Sequence, residues 1–199
     1  MRPDIRYFEI DPHSRVFELL RSDGELAQSL YLLKFRYVRP SWFDEERAIS
    51  HEYGGLIEAI DEMVRDEPRF ADRWLELPRH HDRFSGPLGV LAEGTDRAAL
   101  VDVLFEGERE LASGRYVPAR WIDDRRCAEI ARWLDTVTPS ELGEALLEHL
   151  TRRCDGDAAR ARALATDDLR ATHHEQIRRF RDLFAGTADR ANVIVVLIQ

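Results

Sequence analysis

Two histidine pairs offer the most reactive side chains of the chain: His80-His81, followed by Asp82, and His173-His174, followed by Glu175. Imidazole can ligate a metal or exchange a proton near neutral pH. Neither pair has the spacing for it. Adjacent residues point in divergent directions, and around His80 and His81 a third ligand at metal spacing is missing. The His-Glu-x-x-His order that sets two imidazoles on one helical turn is absent around His173. Both pairs read as structural or solvent-facing, and neither a metal nor a cofactor is expected. His51 and His149 stand alone in the sequence.

Carboxylates cluster at Asp44-Glu45-Glu46, Glu106 with Glu108, Asp123-Asp124 and Asp167-Asp168. Without geometry a glycosidase-like pair cannot be told from helix caps and solvated faces. Glu106-Gly107-Glu108 is the exception worth following. Facing Arg115 or Arg120, it would order a loop or bind a small anion, and ordering is the simpler reading. An enzymatic alternative would build a small-molecule pocket from Glu106, Arg120, His80 and His81. Tyr37, Trp42, Phe43 and Tyr53 form an aromatic group that either folds back as core or covers a partner. Neither the nucleophile elbow, the phosphate loop, the dinucleotide fingerprint nor a kinase set is present. Cys127 and Cys154 are the two cysteines and read as reduced thiols.

The elements that would position these groups are clearest between Gly114 and Leu142. Asp123 reads as an N-cap, and Cys127, Ile130, Ala131, Leu134 and Val137 follow at helical spacing. Thr138-Pro139-Ser140-Glu141 reads as a capping box with proline at the first helical position. Leu142, Leu146, Leu147 and Leu150 continue that second helix. Ile5 to Ile10 alternates as a strand, and an Asp11-Pro12 cap opens a helix through Val16, Phe17, Leu19 and Leu20. Further helices are expected at Leu26–Leu33, Leu56–Val64, Arg69–Leu77 and Arg97–Phe105, and a short strand or link at Phe35–Val38. Gly54-Gly55 reads as a turn, and Pro78 to Gly89 as the most loop-rich stretch. From Ala158 a long helical pattern runs toward Phe184, with a fresh cap at Thr166 able to split it and Gly186 as its C-cap. Asn192 to Ile198 is apolar and β-branched throughout. It predicts a strand buried on both faces and paired with Ile5–Ile10.

GRYVPARWIDDRRCAEIARWLDTVTPSEL, Gly114 to Leu142, resembles a stretch of a bacterial family known as domain of unknown function 1877, or YfbM-like. Ile5 to Leu20 is similar to that family's opening strand and first helix. Val103 to Glu108 is similar to its segment before the central stretch, and Phe184 to Gln199 to its last helix and closing strand. Residues 25–66 match poorly and read as an insertion. Tyr116-Val117-Pro118 stands where the family has tyrosine-glycine-proline. The pair His80-His81 and Ser85-Gly86 are displaced from Trp74 by extra residues. The resemblance implies a fold but no activity, since the family has no agreed catalytic residues.

The chain has 199 residues and a net charge of −9, from 29 basic and 38 acidic side chains. That balance argues against nucleic acid as a partner, because phosphate contacts need a positive face. No apolar run is long enough to span a membrane, and the N-terminus lacks the apolar segment of a signal peptide. The expectation is a single α+β domain over 1–199 in the bacterial cytoplasm. It is mostly helical, with a small sheet holding strands 5–10 and 192–198. Its expected role is a non-enzymatic binding or interaction domain, one version of which neutralises a protein partner by charge complementarity.

Overall fold

The structure, a computed structural model, describes residues 5–23, 26, 30, 54–66, 73–77, 82–111 and 119–198. Tyr37, Trp42, Phe43, Tyr53, His80 and His81 lie outside these, as do the expected strand at Phe35–Val38 and most of the helix at Leu26–Leu33. In chain order the elements are β1 (Ile5–Ile10), α1 (Arg15–Ser22), α2 (Gly54–Asp66), β2 (Trp74–Leu77), α3 (Asp82–Ala92), α4 (Ala98–Glu106) and β3 (Arg109–Glu110). There follow β4 (Arg120–Ile122), α5 (Asp124–Thr136), α6 (Pro139–Arg153), α7 (Ala158–Leu164), α8 (Asp167–Asp189) and β5 (Val193–Ile198).

The two chain ends make the middle of one antiparallel sheet, ordered β2-β1-β5-β4-β3. Ile5 lies opposite Ile198, and Ile10 opposite Val193. Side chains alternate across a strand, so the apolar runs feed two cores. Tyr7, Leu75, Leu77, Ile122, Ile194 and Val196 face α3, α4, α5 and α8. Phe8, Ile10, Val193, Val195 and Leu197 face α1 and α2. A strand buried on both faces needs no polar side, which is why β5 is written in valine, isoleucine and leucine. The mostly helical α+β expectation, with both terminal strands in one sheet, holds.

The N-caps expected at Asp123, Thr138 and Thr166 form. Asp123 accepts a hydrogen bond from the Arg126 amide at 2.8 Å. Thr138 and Glu141 close the reciprocal capping box, with the Thr138 amide donating to Glu141 at 2.9 Å. Thr166 caps α8 through the Leu169 amide and separates it from α7. The cap expected at Asp11-Pro12 falls instead on Ser14, whose hydroxyl accepts from the Phe17 amide, because the helix starts only at Arg15 and Asp11 braces the turn ahead of it.

Local signals fail in four places. Asp82–Ala92 is a helix, not a loop, despite Gly86, Pro87 and Gly89. Phe84, Leu88, Leu91 and Ala92 share one face, and that face packs into the core; burial overrides weak propensity. Trp74–Leu77 is a strand, not the end of a helix, because Leu75 and Leu77 alternate with Trp74 and Glu76 and pair with β1. Gly54 and Gly55 open α2 rather than forming a turn. Gly186 lies inside α8, which runs on to Asp189 and ends with Ala191 at φ +53°.

Candidate functional site

Glu106 is the last residue of α4 and is exposed. Arg120 is half-buried on β4, and its guanidinium reaches Glu110 on the neighbouring strand at 3.6 Å. Glu108 turns instead to Arg126 in the first turn of α5, with contacts of 2.9 and 3.2 Å, while Arg126 also holds Glu129 at 2.5 Å. The Glu106–Glu108 segment thus ties a loop to α5. Gly107 makes the turn at φ +77°, and a Cβ there would sit 2.5 Å from that of Arg120. Neither Glu106 nor Arg120 lines either cavity described next.

One densely bonded ionisable group among the described residues is passed over by periodicity. Glu9 lies on β1 with 1% of its surface exposed. Its Oε1 accepts from Arg190 Nε at 2.7 Å and Asn192 Nδ2 at 2.6 Å, and its Oε2 accepts from Arg190 Nη2 at 2.6 Å. Arg73 Nη1 approaches Oε1 at 3.4 Å. Burial pushes the Glu9 carboxyl up. The hydrogen bonds from Arg190 and Asn192, with the charges of Arg190 and Arg73, outweigh it and hold Glu9 below the usual carboxylate range. Gly186 makes room for this clamp: a Cβ there would lie 2.7 Å from Arg190 Nη2. The adjoining cleft of about 240 Å³ includes Arg179 and Asp182. A carboxylate held ionised by this many donors anchors the chain ends rather than moving protons. Its one sequence signal was a lone acid in an apolar alternation.

A second cavity of about 280 Å³ opens where α6, α7 and α8 meet. The last turns of α6 supply Leu146, His149, Leu150, Arg153 and Cys154, a single helical stripe. Arg160 and Leu164 come from α7, one turn apart, and Leu169 and His173 from α8, also one turn apart. The imidazole of His173 is 4% exposed; its Nδ1 donates to the Leu169 carbonyl at 2.8 Å, and its ring packs beside Phe84 of α3. The ring of His149 lies against the bare Cα of Gly86, where any Cβ would overlap it. Thus α3 backs both imidazoles. The described lining is half apolar, carries two guanidiniums and two imidazoles, and holds no carboxylate. The α6 stripe was legible as helix periodicity. Its meeting with Arg160 and His173 was not, because three separately capped helices make it.

The two thiols differ. Cys127 is fully buried, and burial, followed by the charges of Asp123, Asp124 and Glu9, pushes its thiol far up. It stays protonated and inert. Cys154 is half-exposed on the wall of the α6–α8 cavity, and both cysteines are free. Among the described residues no cluster of three or more metal-ligating side chains occurs, and no helix is long and apolar enough to cross a membrane. No family model, curated protein or solved structure matches the chain.

Proposed function

We propose that this chain is a non-enzymatic binding domain whose ligand site is the cavity between α6, α7 and α8. One observation carries the reading: a concave, half-apolar site with convergent polar groups from three helices, of about 280 Å³, close to the lower end of the roughly 300–1,000 Å³ usual for small-molecule sites. Its lining suits recognition better than turnover. Nucleophilic catalysis would ask for an activated thiol or hydroxyl beside an oriented base. Here one imidazole is spent on a backbone carbonyl and the other is pressed against Gly86. Kinship with the YfbM-like family is part of the proposal; it rests on the stretches at Ile5–Leu20, Val103–Glu108, Gly114–Leu142 and Phe184–Gln199.

Cys154 is a built-in reporter, because Cys127 is buried. The full chain is incubated with fractions of a small-molecule extract from the source organism, and Cys154 is then labelled with a maleimide. A fraction that slows labelling, and is recovered unchanged, is the expected result. Consumption of the protecting compound by the protein would establish an enzyme instead. If no fraction slowed labelling, the cavity would not be the site.

A further inference from the structure

Resting on the cavity as binding site, we infer that α7 is a hinged lid over it, which closes on a bound molecule and carries Leu164 onto that molecule. The first observation is how lightly α7 is held. Within the helix only Ala161 is buried, and Ala165 is buried just past its end. Among the described elements α7 rests mainly on α6. An alanine offers one methyl to its neighbour, so few dispersion contacts hold the helix down. The helices on either side are anchored differently, α6 by Leu142 and Leu146, α8 by Ile177, Phe180 and Phe184. A segment with few buried apolar contacts opens at a lower free energy than the core around it.

Both ends of α7 are built as joints. At the α6 end, Asp155 and Gly156 stand at φ +54° and +87°, the left-handed region that ends a helix and that aspartate enters more readily than most residues. Asp157 then caps α7, accepting from the Ala159 and Arg160 amides at 3.0 Å each. At the other end Ala165 leaves helical geometry at ψ 56°, and Thr166 starts α8 with a cap of its own. Capped separately, α7 and α8 keep their first-turn hydrogen bonds when the angle between them changes. The side chain that such a turn would move is Leu164, which lines the cavity and is 48% exposed. A molecule in the cavity gives that leucine apolar surface to cover. It therefore binds the closed arrangement better than the open one and shifts α7 toward it.

The test uses the full chain with Cys154→Ser, leaving the buried Cys127. Spin labels are attached at Arg162→Cys on α7 and Arg125→Cys on α5, and a control pair joins Glu144→Cys on α6 to Arg125→Cys; all three positions are exposed. Pulsed spin-resonance distances are read with and without the extract fraction that slows Cys154 labelling in the parent. The α7 pair should be broad or two-peaked alone and narrow when that fraction is added, while the control pair stays narrow throughout. Amide exchange on the unlabelled parent should show α7 exchanging at least about tenfold faster than the middles of α6 and α8, and slowing with the same fraction. Leu164→Ala should keep the fold, checked by circular dichroism, and reduce the shift in open-to-closed ratio at least about threefold. One narrow α7 distance, the same with and without the fraction, would make α7 a fixed wall; it would overturn the lid and leave the cavity as the site. Broadening of the control pair as well would mean that the whole molecule loosens, which also overturns it. If no fraction slowed Cys154 labelling, the site would fall and the lid with it.

Discussion

At the scale of single residues, glycine decides more than its propensity suggests. Gly186 sits inside α8, where alanine would ordinarily favour the helix by about 1 kcal/mol. Its bare Cα instead lets the Arg190 guanidinium lie close enough to grip Glu9. A Cβ at this position would push that guanidinium off the carboxylate, loosening charge-assisted hydrogen bonds worth about 1.5–3 kcal/mol each. Gly186→Ala is therefore expected to lower the urea midpoint, against the usual sign of a helical Gly→Ala change. A midpoint equal to or above that of the parent would show that the clamp does not depend on this approach. Local rules make Gly186 a helix stop, because a glycine after an apolar stripe usually is one. Its partner four residues on was invisible to that rule, as was Glu9, which a strand pattern treats as an interruption.

At the scale of elements, α3 shows a helix made by its surroundings. Gly86, Pro87 and Gly89 all disfavour the conformation, and proline removes a helical hydrogen bond. The segment folds because Phe84 stacks on Phe180 of α8 with ring centroids 5.4 Å apart, and Leu88 is fully buried. A peptide spanning residues 82–92 should accordingly show no helical circular dichroism in water. Leu88→Ala in the full chain should cost about 2–5 kcal/mol, read by chemical denaturation. A helical peptide would contradict this account. The opposite case is α5 and α6, whose Asp123 and Thr138 caps and apolar stripes agree with their tertiary roles, and there the sequence was legible almost to the residue. The α6–α8 cavity mixes both situations: its α6 wall could be read from periodicity, while its backing by α3 depends on a helix that local rules reject.

At the scale of the whole molecule, the Glu9 clamp joins the two ends of the chain, since Glu9 and Arg190 stand 181 positions apart. Its contribution depends on pH with a definite sign. Folded Glu9 is held below the usual carboxylate range, so the clamp is at full strength above the unfolded value of about 4.3. It is lost as pH falls through the lower folded value. Glu9→Gln should cost about 2–3 kcal/mol at neutral pH, less than the roughly 3–5 of a wholly buried pair, because the Arg190 side chain is 40% exposed and can turn to water. The gap between parent and variant should shrink once the pH drops below about 4.3. Denaturation midpoints measured across that range decide it, and a constant gap would rule out the linkage. By itself the sequence determined the apolar end strands, their burial and most helix boundaries, because caps and periodicities act between residues a few positions apart. Tertiary structure alone decided that 82–92 is a helix, that 74–77 is a strand, that Glu9 meets Arg190, and that two arginines and two histidines share a wall. Each of these rests on contacts between distant segments, whose energies no local pattern encodes.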